Sequence, residues 1–218
     1  AERGPIVLGH EFSGVVDAVG DGVTSVAVGT PVTVRPFHRC GTCYRCEQGM
    51  THLCKPLSCI GCGAEGGGLA EHVVVPEHMV FALPDGVSLE RGALVEPMAV
   101  AYQGILRAET TPEARSVIFG AGPHGGLASL AARGRLVVVA VYEDMITWHP
   151  GVAMMDELEI RTALAYEPGA FEAVLDLMAQ GHYRPDGWVE HIPLDAVVDE
   201  GFVPLRRGER LKVLVDVT

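Results

Sequence analysis

The sequence has no apolar run approaching the ~20 residues of a membrane-spanning helix, and no run of more than two basic residues. Its net charge is −12, and an acidic surface repels phosphate backbones. We therefore expect neither a nucleic acid nor a membrane as a partner. The chain opens without the charged and apolar regions of a secretory signal, which favours a cytoplasmic protein.

Cysteine is absent outside residues 40–62, although the chain has six of them. Disulfide frameworks usually spread their cysteines to join distant loops, so a cluster this tight indicates a metal site. Four of the thiols follow one another at spacings of three, three and eight residues: Cys40, Cys43, Cys46 and Cys54. This spacing predicts a closed, structural zinc site with four thiolate ligands, with an iron–sulfur cluster as the alternative.

Short valine-rich runs broken by Gly, Asp and Pro dominate the first 110 residues, which predicts strands. From Ser116 to about Tyr166 the pattern becomes strand, helix, strand, loop, strand. The stretch GAFEAVLDLMAQGH (169–182) predicts an amphipathic helix with four apolar side chains directed inward: Phe171, Val174, Leu175 and Met178. The sequence therefore predicts an α/β protein that is rich in β-strands.

A glycine-rich turn follows the apolar run at 117–119. Gly120, Gly122 and Gly125 match the pattern G-x-G-x-x-G, which binds a dinucleotide when a strand precedes it and a helix follows. A complete site also needs an acidic residue about 20 positions further on, to bind the ribose. Glu143 and Asp144 lie near that distance.

Four motifs in this order form a specific combination: GHEFSGVV, the cysteine loop, VEPMAVAY and GAGPHG. Together they resemble the zinc-containing medium-chain dehydrogenases and reductases, and most closely the polyol, butanediol and threonine dehydrogenase branch. The resemblance implies a GroES-like β-barrel catalytic domain with a truncated Rossmann-like parallel sheet. It assigns residues 1–111 to the GroES-like zinc-binding domain, 112–166 to a reduced Rossmann-like remnant, and 167–218 to a C-terminal part that completes the first domain.

The resemblance also implies the ligands of a catalytic zinc ion. The family's histidine matches His10 and its glutamate matches Glu96, while Glu11 is an alternative ligand. The family's cysteine ligand comes from a segment upstream of GHE, and only nine residues precede His10 here. Three outcomes follow: Glu11 acts as the third ligand, Cys59 or Cys62 replaces the thiolate, or the site stays empty.

The chain departs from the family where a second strand follows the glycine turn almost at once. The stretch GRLVVVAVYED resembles the family's fifth Rossmann strand rather than its second, which implies that the intervening strands and their ribose-binding carboxylate are missing. In this interpretation Glu143 and Asp144 lie at the right distance by coincidence. We therefore do not expect the chain alone to bind intact NAD(P), although a partner subunit could complete the pocket.

Three functions are compatible with these residues. The one we favour at this point is a zinc enzyme that polarises a hydroxyl or carbonyl oxygen of a small substrate without nicotinamide redox chemistry, as an isomerase, lyase or cyclase would. The second is NAD(P)-dependent oxidation of an alcohol or polyol, and the third is an inactive, zinc-stabilised binding module. The stretch LEIRTALAY (158–166) matches the family's dimer-forming edge strand, so we expect a homodimer.

Overall fold

The computed structural model describes residues 6–62, 66–111, 133–139, 150–183 and 185–217. The chain divides into two compact units, Ala1–Met98 with Pro168–Thr218, and Ala99–Glu167. The roles predicted for residues 1–111, 112–166 and 167–218 as domains stay a prediction. Within the described ranges, no helix has both the length and the apolar character that crossing a bilayer requires.

Nine strands and six α-helices are present in the described part of the chain. The strands are β1 (Ser13–Val15), β2 (Pro31–Val34), β3 (Phe37–His38), β4 (Ser58–Cys59), β5 (Val80–Ala82), β6 (Arg135–Val138), β7 (Glu159–Thr162), β8 (Val189–Pro193) and β9 (Lys212–Asp216). The α-helices are α1 (Tyr44–Glu47), α2 (Leu89–Gly92), α3 (Val95–Ala108), α4 (Pro150–Met155), α5 (Ala170–Ala179) and α6 (Val203–Arg207). Short 3₁₀ turns lie at Thr51–Leu53, Glu77–Met79 and Leu194–Ala196, and a π-helical turn lies at Val197–Phe202.

The first unit is built on an antiparallel sheet in the order β1–β2–β5. Strand β2 is buried over three of its four residues, as its valine-rich sequence leads one to expect. Val34 packs against Ile60 and Met79, which are 2% and 0% exposed. Because Ile60 lies between Cys59 and Cys62 in the sequence, this apolar cluster also fixes the turn that carries those two thiols.

Helix α5 covers this unit with the face that the sequence predicts. Its four apolar side chains at helical spacing are all buried, and the ring of Phe171 lies 5.0 Å from that of Phe81 in β5. The predicted amphipathic helix is therefore confirmed. Strands β8 and β9 pair in parallel, with Val189 opposite Lys212, and the turns and helix between them form the crossover that a parallel pair needs.

The second unit contains a parallel pair, β6 and β7, with Arg135 opposite Glu159. Two arginines on neighbouring strands hold one carboxylate between them: the Nε of Arg135 lies 2.7 Å from Glu159, and that of Arg161 lies 2.5 Å from it. Parallel pairing here and antiparallel pairing in the first unit give the mixed α/β fold that the sequence predicts.

Candidate metal centres

The four-cysteine loop, residues 40–54, brings its thiols together. The Sγ atoms of Cys40, Cys43, Cys46 and Cys54 all lie within 4.8 Å of one another. The Sγ atoms of Cys40 and Cys54 are 3.6 Å apart, close to the about 3.8 Å that two thiolates at 2.3 Å from a tetrahedral zinc ion would show. The donor set and its spacing therefore fit a zinc ion held by four thiolates.

Backbone amides around the loop favour the thiolate form of Cys40 and Cys43, while burial raises the pKa of Cys46 and of Cys54. The N–H of Cys40 donates to the Sγ of Cys54, and the N–H of Cys43 donates to the Sγ of Cys40, each at 3.3 Å. Hydrogen bonds from the backbone N–H groups of Lys55 and Cys46 lower the pKa of Cys43 to about 6. A thiol with this pKa is ionised at neutral pH and is ready to bind a cation.

A second group of potential ligands lies outside this loop. The side chains of His10, Glu11 and Glu96 approach one another within 4.8 Å. His10 and Glu11 precede β1, whereas Glu96 lies in the first turn of α3 and is 4% exposed. Pro97 follows it in that turn, where a helix does not need the missing N–H. The two motifs GHE and VEP, far apart in sequence, are therefore brought to one place.

Lys212 joins this group, and the sequence analysis missed it. Its Nζ donates to a carboxylate oxygen of Glu11. Burial lowers the pKa of Lys212 to about 8, and burial together with the Lys212 charge lowers the pKa of His10. His10 is therefore neutral at neutral pH, the form in which imidazole binds a metal. One signal was available: Lys212 is one of two lysines in the chain, and it opens the apolar strand KVLVD.

Two further thiols lie close to His10. The side chains of Cys59 and Cys62 form a third group with His10, again within 4.8 Å. The Sγ of Cys62 lies 3.0 Å from the Nδ1 of His10. We call His10, Glu11, Cys59, Cys62 and Glu96 together the second centre. All five residues that the sequence analysis named for a catalytic zinc thus lie together, and their roles remain a prediction.

The predicted dinucleotide-binding glycines, Gly120, Gly122 and Gly125, lie outside the described residues. Their role stays a prediction from the sequence. The acidic pair at 143 and 144 lies outside the described residues as well.

Comparison with known proteins identifies the first part of the chain. Residues 1–85 match the family model of the alcohol dehydrogenase GroES-like domain. An L-idonate 5-dehydrogenase from Vitis vinifera is 35% identical over 162 residues, which are 72% of this chain and 44% of that protein. A sorbitol dehydrogenase from Arabidopsis thaliana is 36% identical over 170 residues, which are 78% of this chain and 43% of that protein. The chain thus spans less than half the length of these curated relatives.

Solved structures share the fold. The 2R,3R-butanediol dehydrogenase of Bacillus subtilis superposes with a TM-score of 0.85 at 26% identity, over 98% of this chain and 81% of that one. A cobalt- and zinc-bound thermostable alcohol dehydrogenase from Pyrobaculum aerophilum superposes with a TM-score of 0.82 at 21% identity, over 99% of this chain and 83% of that one. The domain match, the relatives and the shared fold show that the chain belongs to the zinc-containing medium-chain dehydrogenases and reductases of the alcohol dehydrogenase superfamily.

Proposed function

We propose that this chain forms the zinc-binding part of an NAD(P)-dependent polyol dehydrogenase. The reaction removes a hydride and a proton from a secondary alcohol of a small polyol, which gives a ketone and the reduced nicotinamide. One observation carries the proposal: His10, Glu11 and Glu96 converge in the structure as a set of ligands. The relatives support the choice of reaction, because two of them are named as sorbitol and idonate dehydrogenases.

The residues of the second centre suit this chemistry. A bound zinc ion supplies Lewis acidity, which polarises a substrate oxygen and lowers the pKa of its hydroxyl. Neutral His10 offers a nitrogen lone pair, and Glu96 offers a carboxylate that is shielded from solvent. The four-cysteine loop has no position left for a substrate if all four thiols bind, so its role is structural.

Lys212 positions Glu11 in this arrangement. The ion pair is largely withdrawn from water, with 21% of the lysine side chain and 27% of the glutamate side chain exposed. The ammonium group offsets one of the two carboxylate charges, so the site is less anionic than its ligands alone would make it.

The comparisons reverse the order in which the sequence analysis ranked the functions. It favoured a zinc enzyme without nicotinamide chemistry, whereas the relatives support the dehydrogenase. In this proposal Gly120, Gly122 and Gly125 would bind the pyrophosphate of the cofactor. The small substrate and the homodimer belong to the same proposal.

The first experiment is a fluorescence titration of the zinc-loaded chain with NADH and NADPH. We expect saturable binding at micromolar concentration, with a partner subunit completing the pocket, followed by nicotinamide reduction when sorbitol, L-idonate or 2,3-butanediol is added with the oxidised cofactor. Replacing His10 by Ala should lower kcat/KM by more than about 100-fold, because a ligand of the second centre is lost. His72→Ala, at an exposed histidine outside the second centre, should leave kcat/KM unchanged.

Two results would contradict the proposal. One is the absence of cofactor binding up to millimolar concentration, and the other is binding without any polyol-dependent change in nicotinamide absorbance. Turnover of a hydroxy or oxo compound without any nucleotide would instead favour the zinc enzyme without redox chemistry.

A further inference from the structure

The turn between Cys59 and Cys62 lies directly against the backbone next to His10. Gly61 has a φ of +69°, and a Cβ there would come within 2.1 Å of the carbonyl oxygen of Gly9. No side chain fits in that space, so only glycine allows the two backbones to approach this closely. The approach brings the thiol of Cys62 to within 3.0 Å of the imidazole of His10.

A buried side chain and two backbone hydrogen bonds hold the same turn in place. Ile60 is 2% exposed in the apolar cluster, and its N–H donates to the carbonyl of Pro36 at 2.9 Å. The N–H of Cys62 donates to the carbonyl of Cys59 at 3.2 Å, which closes the turn. Two cysteines three positions apart on one turn are the usual way in which a protein offers two thiolates to zinc.

We propose that Cys59, Cys62 and His10 hold a zinc ion through two sulfurs and one nitrogen, with the fourth position open to a substrate. The inference rests on the proposed function in that it concerns the same centre and the same His10. It changes the ligands, from a histidine with two carboxylates to a histidine with two thiolates. Three protein ligands and one open position are the pattern of catalytic rather than structural zinc sites.

The partners of Glu11 favour the thiolates over the carboxylates. Glu11 already accepts a hydrogen bond from Lys212, and binding zinc would weaken that ion pair in a half-buried place. Cys59 and Cys62 hold no such ion pair with a basic side chain in the described structure, and zinc binds thiolates well because it is a borderline-soft ion.

The geometric change is small, because a sulfur and a nitrogen on one tetrahedral zinc ion lie about 3.6 Å apart, compared with 3.0 Å between Cys62 and His10 here.

Zinc stoichiometry under a thiol-free reductant tests this proposal without any need for activity. The wild-type chain should bind two zinc ions, one at the four-cysteine loop and one at the second centre. The double variant C59S/C62S should retain one ion, and E11Q should retain two. Retention of two ions by C59S/C62S, loss of one by E11Q, or a single ion in the wild type would each overturn the proposal.

Substitution with cobalt gives a second readout that separates loss of ligands from loss of fold. The intensity of thiolate-to-cobalt charge transfer follows the number of sulfur–metal bonds, and two of the six cysteines lie at the second centre. C59S/C62S should therefore lose about one third of this intensity and keep the rest, which reports an intact four-cysteine loop. Unchanged intensity in that variant would show that the carboxylates hold the metal.

The two proposals can fail separately. If the chain binds two metal ions with thiolate charge transfer at both sites but shows no nicotinamide-dependent turnover, the ligand assignment stands and the dehydrogenase proposal is wrong. If the chain oxidises polyols and the cobalt spectrum of C59S/C62S equals that of the wild type, the dehydrogenase proposal stands and the ligand assignment is wrong.

Discussion

His10 is the residue on which both ligand sets of the second centre depend. It lies within 4.8 Å of the carboxylates of Glu11 and Glu96 and within 4.8 Å of the thiols of Cys59 and Cys62. Its imidazole is half-buried and neutral, so it binds a metal without first losing a proton. Whichever of the two ligand sets binds the metal, the imidazole nitrogen of His10 is therefore one of the ligands.

The ion pair between Lys212 and Glu11 should contribute measurably to stability. Replacing Lys212 by Met leaves the Glu11 carboxylate half-buried without its partner, and we expect the free energy of unfolding to fall by about 1–3 kcal/mol. Urea denaturation of the zinc-loaded protein measures this. Arg207→Gln removes an exposed ion pair with Glu209 and should change the free energy by less than about 0.5 kcal/mol. Equal effects of the two substitutions would contradict the prediction.

His191 should make stability depend on pH. Its Nε2 lies 3.0 Å from Glu90 and its Nδ1 lies 3.8 Å from Asp216, and the hydrogen bond with Glu90 raises the pKa of His191. A raised pKa in the folded state stabilises the protein below the unfolded pKa of about 6.5, and this stabilisation is lost as the pH rises through the folded pKa.

His191→Gln tests this dependence. The free energy of unfolding should fall by up to about 1 kcal/mol near pH 6, because the pair is partly exposed, and by less near pH 8.5. In the variant Arg207→Gln, which changes no histidine, the difference from the wild type should stay constant over this range. If the loss of unfolding free energy caused by His191→Gln grew as the pH rises, the predicted direction of the pH dependence would be wrong.

At the scale of the elements, the four-cysteine loop is held by little apolar burial besides that of Cys54, which is 4% exposed. Helix α1 and the 3₁₀ turn at Thr51–Leu53 have no buried residues. Backbone hydrogen bonds such as that from Cys54 to Thr51, 3.1 Å long, close the loop on itself. A segment of this size with so little apolar burial needs a cross-link to stay folded. A metal ion bound by the four cysteines would supply that cross-link.

Zinc removal should therefore unfold this loop before the sheet. Hydrogen exchange of the chelator-treated protein should show lost protection at the amides of residues 47–54, while the amides of β2 stay protected. Restoring zinc should restore the protection. Equal protection in the loop with and without zinc would mean that the loop does not depend on a metal.

The sequence predicts the elements well where local pattern decides them. The helix at 170–179 follows from the spacing of Phe171, Val174, Leu175 and Met178, and the four-cysteine loop follows from its own spacing. The ion pair of Glu11 and Lys212 could not be predicted this way, because 201 residues separate them. Neither could the contact of His10 with Cys62, which depends on a close approach at Gly61.

At the scale of the whole molecule, the edge of the parallel pair in the second unit is where we expect a second copy to bind. Ile160 and Leu164, at and just beyond β7, are 39% and 51% exposed. Among the described residues β7 pairs with β6 alone, and an edge strand with exposed apolar side chains tends to pair with another strand. The homodimer predicted from this segment has not been tested by the comparisons.

Light scattering coupled to gel filtration measures the oligomeric state. The wild-type chain should elute as a dimer, and Ile160→Lys should convert it to a monomer, because a buried lysine at the interface costs more than the contact contributes. Val74→Lys, at a side chain that is 97% exposed in the first unit, should leave the dimer unchanged. A monomeric wild type would refute the assignment of this edge.

The first unit is discontinuous in sequence, and this sets the order in which its metal centres can be completed during synthesis. All four cysteines of the loop have been translated by residue 54, whereas Lys212 belongs to the last strand. At roughly 5–20 residues per second, the ribosome needs about 10 to 40 seconds to add the 201 residues that separate Glu11 from Lys212. The loop can take up zinc on the nascent chain, while the second centre gains its lysine only after these 201 further residues have been added.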